Sequence, residues 1–272
     1  MEIGMIEIAR ILIALIGSGI ASYYDIFNKK NVPELFLYGF LISSLLINVF
    51  DYNLTLKFLP LALPLIAILY ILYRMGQIGG ADVIVLSAIY FALPVFPLSD
   101  ETIFPSILII ISISTVLAFL GVIIKYLPSI LEKTKRGKIK FKITQIVESL
   151  VLVISFIIIV YIFITFPYLP LWMIILFVIL FFESIFFILY KEEIKKEMVV
   201  WKKYVEPEEV LAIEYLKPDI IKEMKLNALI TEKQAKEMNK KKTKWPIFDL
   251  PMFLPYISIG LIIYLFIGLM LM

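Results

Sequence analysis

Eight apolar runs, separated by turns or charged stretches, decide what this 272-residue chain can fold into. They cover about 6–24, 34–50, 55–73, 82–97, 105–127, 149–166, 169–190 and 250–271. Each is roughly 17 to 25 residues long, which as a helix crosses a hydrocarbon core of about 30 Å. The chain is 61% hydrophobic and 18% charged, with a mean hydropathy of +0.97, far outside the range of soluble globular proteins. The pattern predicts an all-α fold, a polytopic membrane bundle of about eight transmembrane helices. The first run is interrupted only by Arg10 and carries Glu2 and Glu7 where a signal peptide would carry basic residues. It reads as a spanning helix.

Eight spans put both termini on one side, and the basic residues decide which. Lys29, Lys30, Arg74, the group from Lys125 to Lys142 and the group from Lys191 to Lys244 all fall in alternate loops, and together they hold 24 of the 26 basic residues. Cytoplasmic loops accumulate Lys and Arg, so these loops face the cytoplasm and both termini lie outside. The expected localisation is the cell membrane, multi-pass. Four regions follow: 1–127, a membrane domain; 128–190, a basic cytosolic loop and a membrane hairpin; 191–249, a charged cytosolic helical insert; 250–272, a final transmembrane helix. In the insert, Glu206-Pro207-Glu208-Glu209 reads as a helix start ahead of Val210-Leu211, and Thr231 with Gln234 as a capping box. The insert reads either as a solvated connection with lysines at the membrane surface or as a substrate-handling element.

The chain has no cysteine and no histidine. Disulfides, thiolate nucleophiles, imidazole bases and His-containing zinc sites are therefore excluded. Carboxylates, lysines, tyrosines and hydroxyls remain for acid–base work. Two aspartates stand out by position. Asp25 follows the first run in Ser22-Tyr23-Tyr24-Asp25, ahead of a polar turn that re-enters at Pro33-Glu34. Asp82 opens the fourth run after Gly79-Gly80-Ala81. One passage out and back returns the chain to the same face, so both carboxylates reach the cytoplasmic boundary. Gly79, Gly80 and Ala81 leave room for a neighbouring helix or an extended backbone to come close. Two carboxylates that meet there can share one proton and act as base and acid toward a peptide bond. Asp82 can equally cap its helix, where the dipole favours an anion, and Asp25 can be an ordinary interfacial charge. The helix dipoles assign the base to Asp82 and the acid to Asp25. Tyr23 and Tyr24 read as interface anchors.

At these two segments the chain resembles the archaeal preflagellin and prepilin peptidases, GxGD-type membrane aspartyl proteases of the type IV prepilin peptidase family. The first family element, an aspartate after the first helix followed by a polar basic stretch and a Val-Pro re-entry, is matched by Asp25 to Glu34. The GxGD element is matched by Gly79-Gly80-Ala81-Asp82, with Ala81 in the place of the second glycine, a position that the archaeal branch relaxes. Ile84 stands where the bacterial branch often has a lysine. The resemblance covers the first 110 or so residues in motif and the rest in architecture only. It implies an aspartic endopeptidase with Asp25 and Asp82 as the catalytic pair, supported by Gly79, Gly80 and Ala81, with no cofactor and no metal. The implied partners are preflagellin or prepilin-like substrates with a short basic leader ahead of a hydrophobic helix, and membrane lipids; nucleic acid is not among them. A basic leader approaching basic loops needs a local acidic face, for which Glu206, Glu208, Glu209 and Glu214 are the candidates.

Two alternatives stay open. A presenilin-like intramembrane protease uses the same chemistry deeper in the bilayer. A proton- or cation-coupled transporter would use Asp25, Asp82 and the intramembrane Glu183 as relay carboxylates. Otherwise Glu183 reads as the partner of a loop lysine or as a polar packing contact.

Overall fold

The structure is a computed structural model that describes residues 4–28, 31–75, 78–95, 105–137, 139, 141–165, 171–224, 226–241 and 243–270. Each of the eight apolar runs contains a helix among the described residues. They form α1 (Met5–Phe27), α2 (Glu34–Leu46, continued by a 3-10 turn Ile47–Phe50), α3 (Tyr52–Arg74), α4 (Gly80–Ala92), α5 (Ser106–Lys135), α6 (Ile143–Thr165), α7 (Leu171–Met198) and α10 (Leu254–Met270). The segment between α7 and α10 contributes strand β1 (Val199–Lys202), helices α8 (Pro218–Met224) and α9 (Glu232–Lys240), and strand β2 (Trp245–Phe248).

Among the described residues four helices are long and apolar enough to cross a membrane: α1, α3 from Leu56, α5, and α6 as far as Tyr161. Glu34–Phe50, Gly80–Ala92 and Leu254–Met270 are shorter apolar helices. Their starts are set locally. Pro33 precedes α2 with its φ at −59°, and Asp51 caps α3 by accepting the Leu54 N–H at 3.3 Å.

The packing centres on α1, which lies against α2, α4 and α10, while α5 packs on α10 and α7, and α6 pairs with α7. One apolar core joins α1, α2, α4, α5 and α10 through residues such as Ala14, Ala21, Leu37, Ile89, Ile110 and Leu261. Polar side chains lock the antiparallel α1–α10 pair. The Ser22 hydroxyl donates to the Leu254 carbonyl at 2.9 Å and lies 2.6 Å from the Ser258 hydroxyl. By contrast α6 exposes Leu150, Val151, Ile154 and Ile157 along its length, as a helix solvated by lipid would.

Three sequence expectations change. The polar stretch at 128–148 is mostly helix, because α5 continues through Pro128 to Lys135 and α6 begins at Ile143. Apolar character ends before the helix does: beyond it, Lys133 pairs with Glu193 at 2.9 Å and Glu197 at 2.8 Å on α7, which itself runs past 190 to Met198. The insert is mixed rather than helical. β1 and β2 pair antiparallel, Val199 opposite Phe248 and Lys202 opposite Trp245, so the all-α description holds for the membrane part alone. Strands so far apart in sequence give no local pairing signal. Finally, Glu206 to Glu209 starts no helix. It forms a turn leading into bridges of Val210 with Leu229 and Leu211 with Ile247, and Glu208 has a φ of +67°. The Thr231–Gln234 capping box forms as expected, with the Gln234 N–H donating to Thr231 Oγ1 at 3.3 Å and the Thr231 N–H to Gln234 Oε1 at 3.0 Å.

The insert has its own apolar core of Val205, Leu211, Met224, Ile230, Met238, Trp245 and Ile247. It joins α7 directly through β1 and leads back to α10 after β2.

Candidate active site

Asp25 and Asp82 are brought to one place by the packing of α1 on α4. Asp25 sits in the last turn of α1 rather than after it, and Asp82 in the first turn of α4. Both are buried, 6% and 7% exposed, and Asp25 lies within electrostatic reach of Asp82. Such burial is costly for a carboxylate without a partner. Asp82 has one in its own helix start: the Gly79 N–H donates to Asp82 Oδ2 at 2.8 Å. The capping geometry expected of Asp82 therefore exists. It engages Oδ2, and Asp25 stays within electrostatic reach of the same carboxyl group.

The motif glycines explain the access. A Cβ on Gly79 would stand 3.3 Å from Asp82 Oδ2, tighter than ordinary contact, so a bare backbone lets the carboxylate fold back on its cap. At Gly80 a Cβ would be in ordinary contact with Glu208 Oε2 at 3.4 Å and Tyr73 Cε2 at 3.5 Å. Ala81 is partly buried against the core. The loop residues Lys29, Lys30, Gly76 and Gln77 lie outside the described residues.

Sequence reading missed two groups near this end of the bundle. Tyr73, in the last turn of α3, donates its hydroxyl to Glu208 Oε1 at 2.8 Å, which sets the insert's turn against the start of α4. Nothing in the sequence links positions 73 and 208. A groove of about 360 Å³ also opens beside Ile26, between α1, α5 and the start of α10. Gly121, Val122, Pro251, Met252 and Tyr256 line it, and Lys125 and Asp249 pair across its rim at 3.4 Å.

Glu183 is buried in α7 at 3% exposure, and neither of its oxygens has a hydrogen-bond partner among the described residues. Among the described residues it therefore meets neither a loop lysine nor a polar packing contact. It sits on a helix packed against α5 and α6, apart from the α1–α4 pair. Glu206 and Glu208 are exposed on the insert's turn, Glu209 pairs with Lys202, and Glu214 pairs with Lys195 at 3.3 Å. Two of the four glutamates proposed as an acidic face are thus engaged by lysines. Among the described residues no group of three acidic side chains is placed to hold a metal ion.

Compared with family models, curated proteins and solved structures, the chain finds no match.

Proposed function

We propose that the protein is a membrane aspartyl endopeptidase that removes a short basic leader from preflagellin- or prepilin-like proteins at the cytoplasmic membrane face. The observation that carries the reading is the buried pair Asp25 and Asp82 at adjoining ends of packed helices, in a chain without histidine or cysteine. One carboxylate takes a proton from water as it attacks the peptide carbonyl. The other protonates the leaving amine. Asp82 takes the role of base, since it accepts the Gly79 N–H at the N-terminal end of α4, while Asp25 stands in the last turn of α1, where the helix dipole disfavours an anion. The groove beside Ile26 supplies apolar surface for the hydrophobic segment that follows the cut.

The finer membrane arrangement belongs to the same reading. All eight apolar helices span, with both termini outside and the insert in the cytoplasm. An intramembrane protease of the presenilin kind would hold its aspartates well inside their helices, whereas here they occupy a last and a first turn. A relay through Glu183 finds no support in the packing of α7 on α5 and α6.

The test is co-expression with a prepilin-like substrate. Asp25→Asn and Asp82→Asn should each abolish leader removal, at least about a thousandfold in rate for loss of an acid or base acting as a unit, while the protein stays inserted and folded. Leader removal at the normal rate in either variant rules out the aspartyl mechanism.

A further inference from the structure

The insert's turn brings a single carboxylate, Glu208, to the start of α4. We propose that Glu208 is the specificity-determining residue that accepts a basic side chain of the leader; this rests on the peptidase reading above. Glu208 Oε2 lies 3.4 Å from where a Cβ on Gly80 would be, and Gly80 is two residues before Asp82. The Glu208 carboxylate covers Gly80 together with Tyr73, so a leader that brings its scissile bond to the aspartates across the start of α4 passes beside this carboxylate. Its charge is opposite to that of the leader, while the surrounding cytosolic segments are rich in lysine.

The turn is held as a recognition element has to be. The Glu208 N–H donates to the Ile230 carbonyl at 2.8 Å, and the Ile230 N–H to the Glu209 carbonyl at 3.0 Å. Glu209 pairs with Lys202 on β1 and accepts the Glu206 N–H at 3.0 Å. Asn239 on α9 exchanges two 2.8 Å hydrogen bonds with the Val205 backbone. Lys202 thus neutralises the neighbouring Glu209, whereas among the described residues the hydrogen-bond partner of the Glu208 carboxylate is the neutral hydroxyl of Tyr73. A lysine or arginine of the leader offers that carboxylate a charge-assisted bond in place of a neutral one, and such bonds are roughly twice as strong. Tyr73 then orients the carboxylate from the other side.

The experiment uses the full-length protein in lipid with a substrate carrying a basic leader and a hydrophobic helix, and a matched series in which each leader Lys or Arg is replaced in turn by Gln or Glu. Glu208→Gln should raise KM about tenfold for the basic leader, equivalent to about 1.4 kcal/mol, and leave kcat near wild type. For the leader with Gln at the matching position, variant and wild type should agree within about twofold. Glu208→Lys should recover cleavage of the leader bearing Glu there. Glu208→Gly, which suits the positive φ, guards against a folding failure and should show the same rise in KM as Glu208→Gln. Equal KM values for wild type, Glu208→Gln and Glu208→Gly on the basic leader would overturn the assignment and leave the peptidase reading standing. No cleavage by the wild-type protein of any leader would overturn both.

Discussion

Arg10 is a cation inside an apolar helix, and the fold spends several contacts on it. It is 2% exposed; Nη1 donates to Asn48 Oδ1 at 2.9 Å and to the Ala92 carbonyl at 3.1 Å, and Nη2 lies 4.0 Å from Asp51 Oδ2. Asn48 in turn donates to the carbonyls of Ser44 and Phe91. The side chain therefore ties α1 to the 3-10 turn after α2 and closes the C-terminus of α4, where free carbonyls favour a cation. It fixes the α1–α4 alignment at the end opposite Asp25 and Asp82. Arg10→Leu removes the donor to Asn48 Oδ1 and to the Ala92 carbonyl, so it should cost about 2–4 kcal/mol in unfolding assays in detergent. Asp51→Asn should cost no more than about 1 kcal/mol, because that carboxylate is one third exposed.

Between elements, small residues set how close the helices come. At Gly260 on α10 a Cβ would meet Ser114 Oγ at 2.3 Å, the Ile110 carbonyl at 3.1 Å and the Ser114 nitrogen at 3.2 Å. Two of these atoms are backbone and cannot swing aside, so α5 and α10 must separate to admit a methyl group. Gly260→Ala should destabilise by about 1–3 kcal/mol. Gly39→Ala on α2, where a Cβ meets nothing within 4 Å, should stay within about 0.5 kcal/mol of wild type or gain stability from helix propensity. At the C-terminal ends of α5 and α7, Lys196 and Lys133 hold the Glu193 carboxyl below the usual range, and Lys133 with Ser129 does the same for Glu197. Carboxyl groups lowered on folding stabilise fully above their unfolded value and lose that contribution as pH falls through the folded value. Lys133→Ala should therefore melt below wild type at pH 7. The gap should close as pH is lowered from about 4.3, the ordinary glutamate value, downward.

The whole molecule is an apolar bundle with a folded polar insert at one end, and the proposed orientation rests on the distribution of its basic residues. The absence of cysteine gives a clean test of topology. Single cysteines replacing Lys203 in the insert and Asn53 at the start of α3 should label from opposite sides of the membrane, the first only from the cytoplasm and the second only from outside. Labelling of both from the same side would refute the arrangement of α2 and α3 on which the meeting of Asp25 and Asp82 depends.

The sequence by itself determined the helical runs, the excluded chemistries and the two aspartates at helix ends, because burial in lipid requires long apolar stretches and leaves a mark on every residue. It also carried the Thr231 capping box, a signal confined to four residues. Tertiary structure alone decided the extension of α5 and α7 beyond their apolar parts, the β1–β2 pairing, the partners of Arg10 and the meeting of Glu208 with Tyr73 and Gly80. Each of these joins residues far apart in the chain through hydrogen bonds or charge, and one polar residue among many carries no local sign of which distant partner it will meet. Asp25 and Asp82 belong to both: their positions at helix ends were legible, and their shared burial depends on how α1 packs against α4.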